Sequence, residues 1–263
     1  MAYRNDRDIT RDVAPYRRML AHITPDRDAA SVFFDQTIDL SRANPWLAEH
    51  STEGAPLRLL HLYLAAVARV LHERPRLNRY CTGTRFYQRD GVFVTVSAKK
   101  QLEDGAKVVM LKIPLHADDT PWAIRGRLAE ALAPSRRGEV IEQEKEFDFF
   151  LMMPDFLVGW IIRAGMWLDR RHWLPSFLAD PDGLFTSMVV ANLGSVGLEG
   201  AWHHLYEWGN CPLFVVLGRI EGDTVTAKYT YDERVEDGLY CALSLKVLLG
   251  ILEDPAATFT APA

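Results

Sequence analysis

Apolar and polar positions alternate along "SVFFDQTIDLS" (31–41), a rhythm of two that predicts a half-buried strand. The rhythm changes to helical spacing in "APLRLLHLYLAAVARVLHERPRLN" (55–78), where Pro75 closes a helix expected to be mostly buried. "TRFYQRDGVFVTVSAK" (84–99) and "AKVVMLKIPL" (106–115) read as strands, and "PWAIRGRLAEALAPSRRG" (121–138) as a helix begun by Pro121 and ended at Pro134. From Leu184 the pattern returns to β in "LFTSMVVANLGSVG", "CPLFVVLGRI" and "DTVTAKYTYD". An amphipathic helix then follows Gly238.

Residues 147–178, "FDFFLMMPDFLVGWIIRAGMWLDRRHWLPSFL", obey no such pattern. A membrane span needs about 20 consecutive apolar residues; Pro154, Asp155, Arg163 and the Asp169–Arg171 cluster interrupt this run. Helices packed on the core or on a neighbouring subunit are expected instead. Trp160, Trp167 and Trp173 beside arginines also suit a helix lying on lipid or holding an acyl chain.

The chain has 263 residues, 48% hydrophobic, with a formal net charge of −5. That is enough for one large domain, 1–263, and no run of Lys or Arg exceeds a pair, which argues against a nucleic-acid groove. Cys81, Cys211 and Cys241 are odd in number and lack C-x-x-C spacing, so neither a disulfide framework nor a zinc site is expected. The charged amino end has no secretory h-region, so the cytoplasm is the expected compartment and no metal is implied.

Three stretches, "LHLYLAAVARVLHERPRLNRY", "SMVVANLGSVGLEGAWHHLYEWGNCPLFVVLGRI" and "YDERVEDGLYCALSLKVLLGILEDP", together resemble the catalytic domain of the dihydrolipoyl acyltransferases of 2-oxoacid dehydrogenase complexes. The resemblance runs nearly the whole chain in the family's order and implies the chloramphenicol acetyltransferase-like fold: an α/β, two-layer architecture with a mixed sheet flanked by helices, assembled as a trimer. It also implies that the 147–178 stretch is an insertion, that lipoyl and subunit-binding domains are missing, and that CoA or acyl-CoA is the cofactor if the protein is active. The family's D-H-R-V-x-D-G motif carries a histidine general base; here the motif reads Asp232-Glu233-Arg234-Val235-Glu236-Asp237-Gly238. A glutamate starts near pKa 4.3 and needs a large upward shift to do the work of an imidazole near 6.5.

The family serine that stabilises the oxyanion corresponds to Ala191 in "VVANLG". Loss of one such donor typically costs 10² to 10³ in rate. The framing residues are kept: the resemblance pairs Asp237 with Arg17 or Arg18, and gives Gly238 a close backbone approach. Arg234 is the expected partner of an ionised Glu233.

The implied function is a degenerate, non-catalytic trimeric component, structural or regulatory. The alternative is an active CoA-dependent acyltransferase using Glu233, His203 or His204 as base; on a strand those two histidines would face opposite sides. His61, His72 and His116 read as structural, and Ser187 as an oxyanion donor only after a register slip. The glycines of "ANLGSVGLEG" match no phosphate loop and read as turns. The acidic "IEQEKE" reads as a solvated helix face. Phe259, the only large apolar side chain near the carboxyl end, is too small to anchor a cage of trimers, although 147–178 offers another contact for larger assembly.

Overall fold

The computed structural model is described for residues 5–99, 108–137 and 152–260. The "IEQEKE" stretch and residues 147–151 of the aromatic segment lie outside them. The strands are β1 (Arg7–Asp8), β2 (Ser31–Asp39), β3 (Arg79–Thr82), β4 (Arg85–Gln88), β5 (Val92–Lys99), β6 (Val108–Leu115), β7 (Met188–Asn192), β8 (Leu213–Glu221) and β9 (Thr224–Asp232). The helices are α1 (Pro15–Ile23), α2 (Ala43–Glu49), α3 (Leu59–Glu73), α4 (Pro121–Arg136), α5 (Asp155–Asp169), α6 (Ser176–Ala179) and α7 (Gly238–Glu253).

Six strands form one sheet in the order β2-β9-β8-β7-β5-β6. Strand β7 runs parallel to β5 and β8 while the other pairings are antiparallel, so the sheet is mixed. Strands β1, β4 and β3 make a smaller antiparallel sheet. Alternation along the strands decides the layers. Val94, Val96, Ile113, Val190, Val215, Leu217 and Ala227 turn one way, onto α3, α4 and α7, and build the main core. Val189, Phe214 and Val216 turn the other way and are covered by Leu205 and Cys211. Helix α3 is buried nearly all round, from Leu62 to Ala68, as its composition requires.

Two boundaries differ from expectation. The 84–99 stretch is two strands, because Gly91 at φ +78° breaks it into a turn between β4 and β5. Helix α4 continues through Pro134 to Arg136, and Arg137 N still donates to Ala133 O at 3.1 Å; near a helix end the proline removes one backbone bond without ending the ladder. Residues 201–212, which carry His203 and His204, form no strand. Phe259 is buried against Trp46, with ring centroids 6.5 Å apart, so it belongs to this chain's own core.

His61 sits in the first turn of α3, where Nδ1 accepts the Arg58 backbone N–H at 3.0 Å. Burial, with the nearby Arg125 and Arg58 charges, depresses its pKa to about 4. The unfolded chain takes up this proton near the ordinary value of about 6.5, before the folded one does. Stability is therefore expected to fall as pH drops from 6.5 toward 4, and to gain no further penalty from this group below that. His61→Gln keeps an acceptor at the same position and should flatten this part of the profile; thermal melts between pH 4 and 8 check it.

Candidate functional site

The turn after β9 is built from paired charges. Arg234, 2% exposed, folds back on Asp232, with Nε to Oδ1 and Nη2 to Oδ2 both at 2.8 Å. Its Nη1 donates to the Pro25 carbonyl at 2.7 Å, tying the turn to the end of α1. Burial alone would disfavour the guanidinium charge, but the bonds to Asp232 and its charge outweigh burial and raise the pKa above the ordinary value. Asp237 caps α7 by accepting Tyr240 N at 2.8 Å. That bond, with the charges of Arg17 and Arg76, lowers its carboxyl pKa.

Arg17 reaches this turn from α1. It lies 3.5 Å from both Glu236 and Asp237, and its Nη1 donates to the Glu233 carbonyl at 2.9 Å. Buried Glu236 also faces Arg76 at 3.2 Å and Arg79 at 3.9 Å, two partners that sequence reasoning missed. Of the two arginines the resemblance offers for Asp237, Arg17 makes the contact. Gly238 does not provide a close approach: a Cβ there would meet Tyr231 Oη at an ordinary 3.7 Å. Gly194 is demanding instead: an added Cβ would stand only 2.3 Å from the Gly218 carbonyl, backbone against backbone.

Glu233 itself is half-buried. Its N–H donates to Ala30 O at 3.1 Å and its carbonyl accepts from Arg17, but its carboxylate has no hydrogen bond or ion pair among the described residues. The expected Arg234 partner is spent on Asp232, which is nearer, buried and able to accept in bidentate fashion. Beside the turn a half-open apolar cavity of about 50 Å³ runs between α3, α7, β8 and β9, lined by Tyr231, Cys241, Ser244 and Leu245 among others. Glu233 is not among its lining residues, and the volume falls short of the roughly 150 Å³ that holds a benzene. Burial, reinforced by Glu236 and Asp237, pushes the Cys241 thiol up to about 12, so it is no nucleophile at neutral pH.

Ala191 lies on the sheet face turned away from α3, in register with Ser97 of β5 and Val216 of β8. Val216 pairs with Lys228, and Glu233 is five residues farther along β9. At about 3.3 Å per residue and 4.8 Å per strand, Glu233 and Ala191 are about 19 Å apart within one chain. Ser97 presents the hydroxyl nearest in register to Ala191; only the strand pairing reveals it. Ser187 is buried with its hydroxyl accepting Phe93 N at 3.0 Å, and it faces neither site residue.

His203 and His204 stack on each other, with centroids 4.7 Å apart, and do not face opposite ways, because the loop lacks the pleat of a strand. The His203 ring also lies flat on Phe214 at 4.1 Å. Its Nδ1 is 2.8 Å from the His204 carbonyl, an acceptor only, so Nδ1 carries the proton and Nε2 keeps a lone pair in the neutral ring. His72 Nδ1 meets Ala68 O at 2.8 Å inside α3, a helix-internal contact. Among the described residues no cluster of three or more His, Cys, Asp or Glu could hold a metal.

No protein-family model matches the chain. No curated protein sequence matches it either. Solved structures do. A probable dihydrolipoamide acetyltransferase from Listeria monocytogenes superposes with TM-score 0.62 at 13% identity, over 95% of this chain and 97% of that one. A chloramphenicol acetyltransferase gives 0.58 at 12% over 94% and 99%. The chain has the chloramphenicol acetyltransferase fold. The Azotobacter vinelandii dihydrolipoamide acetyltransferase, whose catalytic serine, histidine and asparagine have been probed, gives 0.59 at 15% over 92% and 86%.

Proposed function

We propose that the protein is a non-catalytic member of the acyltransferase fold, a trimeric structural or regulatory component working in the cytoplasm. The observation that carries this reading is the turn at 232–238. Its framework is complete, with Arg17, Arg234, Glu236 and Asp237 all engaged, while the reacting positions offer the carboxylate of Glu233, outside the neighbouring cavity, and the methyl of Ala191. A proton acceptor and an oxyanion donor contribute about 10² to 10⁴ and 10² to 10³ respectively; without both, ordinary acyl transfer is nearly abolished.

Trimer formation is supported by the surface beside the turn. Tyr16, Met19 and Ile23 on α1, with Leu239 and Leu243 on α7, are exposed large apolar side chains flanking it. Within one chain Glu233 and Ala191 stand about 19 Å apart, so only a neighbouring subunit can bring an Ala191 face to the Glu233 turn. The solution mass tests this part: a monomer at micromolar concentration would overturn it.

A second reading, an active CoA-dependent acyltransferase, is favoured by one observation, the Nε2 lone pair of His203, which meets only the Tyr206 hydroxyl at a long 3.5 Å. Acetyl transfer from acetyl-CoA to dihydrolipoamide separates the two. The proposal expects no turnover above background from wild type. Turnover that falls by about 10² or more in Glu233→Gln or in His203→Gln, with the trimer intact, would make the protein an enzyme and name its base.

A further inference from the structure

Helix α5 carries charge only at Asp155, Arg163 and Asp169. One face is docked: Gly165 packs so closely on Trp208 that an added Cβ would stand 2.7 Å from the ring, and buried Asp169 accepts from Thr82 Oγ1 at 3.0 Å. The opposite face is bare. Phe156, Trp160, Arg163 and Trp167 follow at helical spacing along it, and the three aromatic residues are 77%, 66% and 50% exposed. Met152 prolongs the stripe at one end, and Trp173, Phe177 and Leu178 at the other. The expectation that this segment packs on the core therefore holds for its inner face alone. Each aromatic side chain carries about 150–250 Å² of surface, so the patch exceeds the few hundred Å² usual on a soluble monomer.

The charges on this face decide what covers it. Arg163 and Arg171 are exposed there against Asp155, while Arg170 turns to the docked side and pairs with Asp26 at 3.2 Å; the bare face keeps a local excess of positive charge on a chain whose net charge is −5. Arg171 stacks over the Trp167 ring at 3.8 Å, and Trp167 and Trp173 meet edge to face at 5.9 Å. The outer face of a single helix is a convex cylinder, so a protein partner would need a matching groove, whereas a fluid interface needs none. No helix among the described residues is long and apolar enough to cross a membrane. The geometry points to α5 and the 170–178 turns as a surface that lies in the headgroup layer of an anionic lipid bilayer, aromatic rings inward and arginines among the phosphates. This docking does not depend on whether the Glu233 turn is catalytic.

Flotation of the full chain with vesicles tests it. Wild type should float with phosphatidylcholine vesicles that contain phosphatidylserine, float less with phosphatidylcholine alone, and be released as salt rises. Trp160→Ser with Trp167→Ser should weaken binding by at least about tenfold, and Arg163→Gln with Arg171→Gln should remove the preference for anionic vesicles. These positions are exposed and both variants should melt with wild type; were the tryptophan pair to unfold, the arginine pair and the wild-type salt series still decide. Failure of wild type to float with either vesicle overturns the proposal. So does a wild-type particle that grows with concentration and is dispersed by the tryptophan pair, since the occupant would then be a second copy of this chain.

Discussion

Arg234→Ala is expected to destabilise the protein by about 3–5 kcal/mol, the cost of leaving one charge of a buried pair alone. Asp232 and Arg234 are 1% and 2% exposed, so neither recovers hydration when its partner goes. The nearest remaining cation for Asp232 is Arg27, with Nε at 4.0 Å, too far for a hydrogen bond. Loss of Arg234 also frees the carbonyls of Thr24 and Pro25, which now accept from Nη1. A fall in melting temperature on the order of 10 °C should accompany the change. Replacing the pair together, Asp232→Leu with Arg234→Met, should recover part of the loss, because neither member of the pair is left alone, while buried Arg27 still loses the carboxylate 4.0 Å from it. A cost below about 1 kcal/mol for Arg234→Ala would mean that the turn is held by Arg17 and Asp237 instead.

The largest functional effect is expected from Glu233→His combined with Ala191→Ser. The backbone of residue 233 is fixed at both polar atoms, by Ala30 O and by Arg17, so an imidazole can enter without loosening the turn. Ala191 occupies a strand position paired on both sides, where a serine hydroxyl adds little volume. Groups that act as a unit are grossly non-additive. Each single change should therefore leave acetyl transfer at background, while the pair raises it by about 10² or more. The readout is acetyl transfer from acetyl-CoA to dihydrolipoamide, on protein whose mass shows the trimer. An inert double variant in an intact trimer would show that the two positions do not face each other across subunits.

Long elements were legible because their burial is continuous. The apolar runs of α3 and β8 and the alternation of β2 and β9 each admit one regular conformation that hides the apolar atoms. Pro134 and the 84–99 stretch were misread because one residue's local preference competes with neighbours that sequence cannot weigh. At Pro134 the helix end absorbed the lost bond; at Gly91 a left-handed turn was available. The loop bearing His203 forms no strand, so the condition under which its two histidines would face opposite sides is not met.

The sequence, through its resemblance to the acyltransferases, singled out Glu233 and Ala191 as the positions proposed to stand where that family reacts, and offered Asp237 with an arginine from α1 as the frame of the turn. These are chemical identities, and folding cannot alter them. Only the tertiary structure decided who pairs with whom. Arg234 chose Asp232 over Glu233, Glu236 drew three arginines that lie far away in the chain, and Ser97 came to stand beside Ala191. It also turned Phe156, Trp160 and Trp167 outward, which no composition of the segment could show. The reason is physical: ion pairs, strand register and the choice of buried face depend on distances between elements, and those arise from packing the whole sheet against α3 and α7.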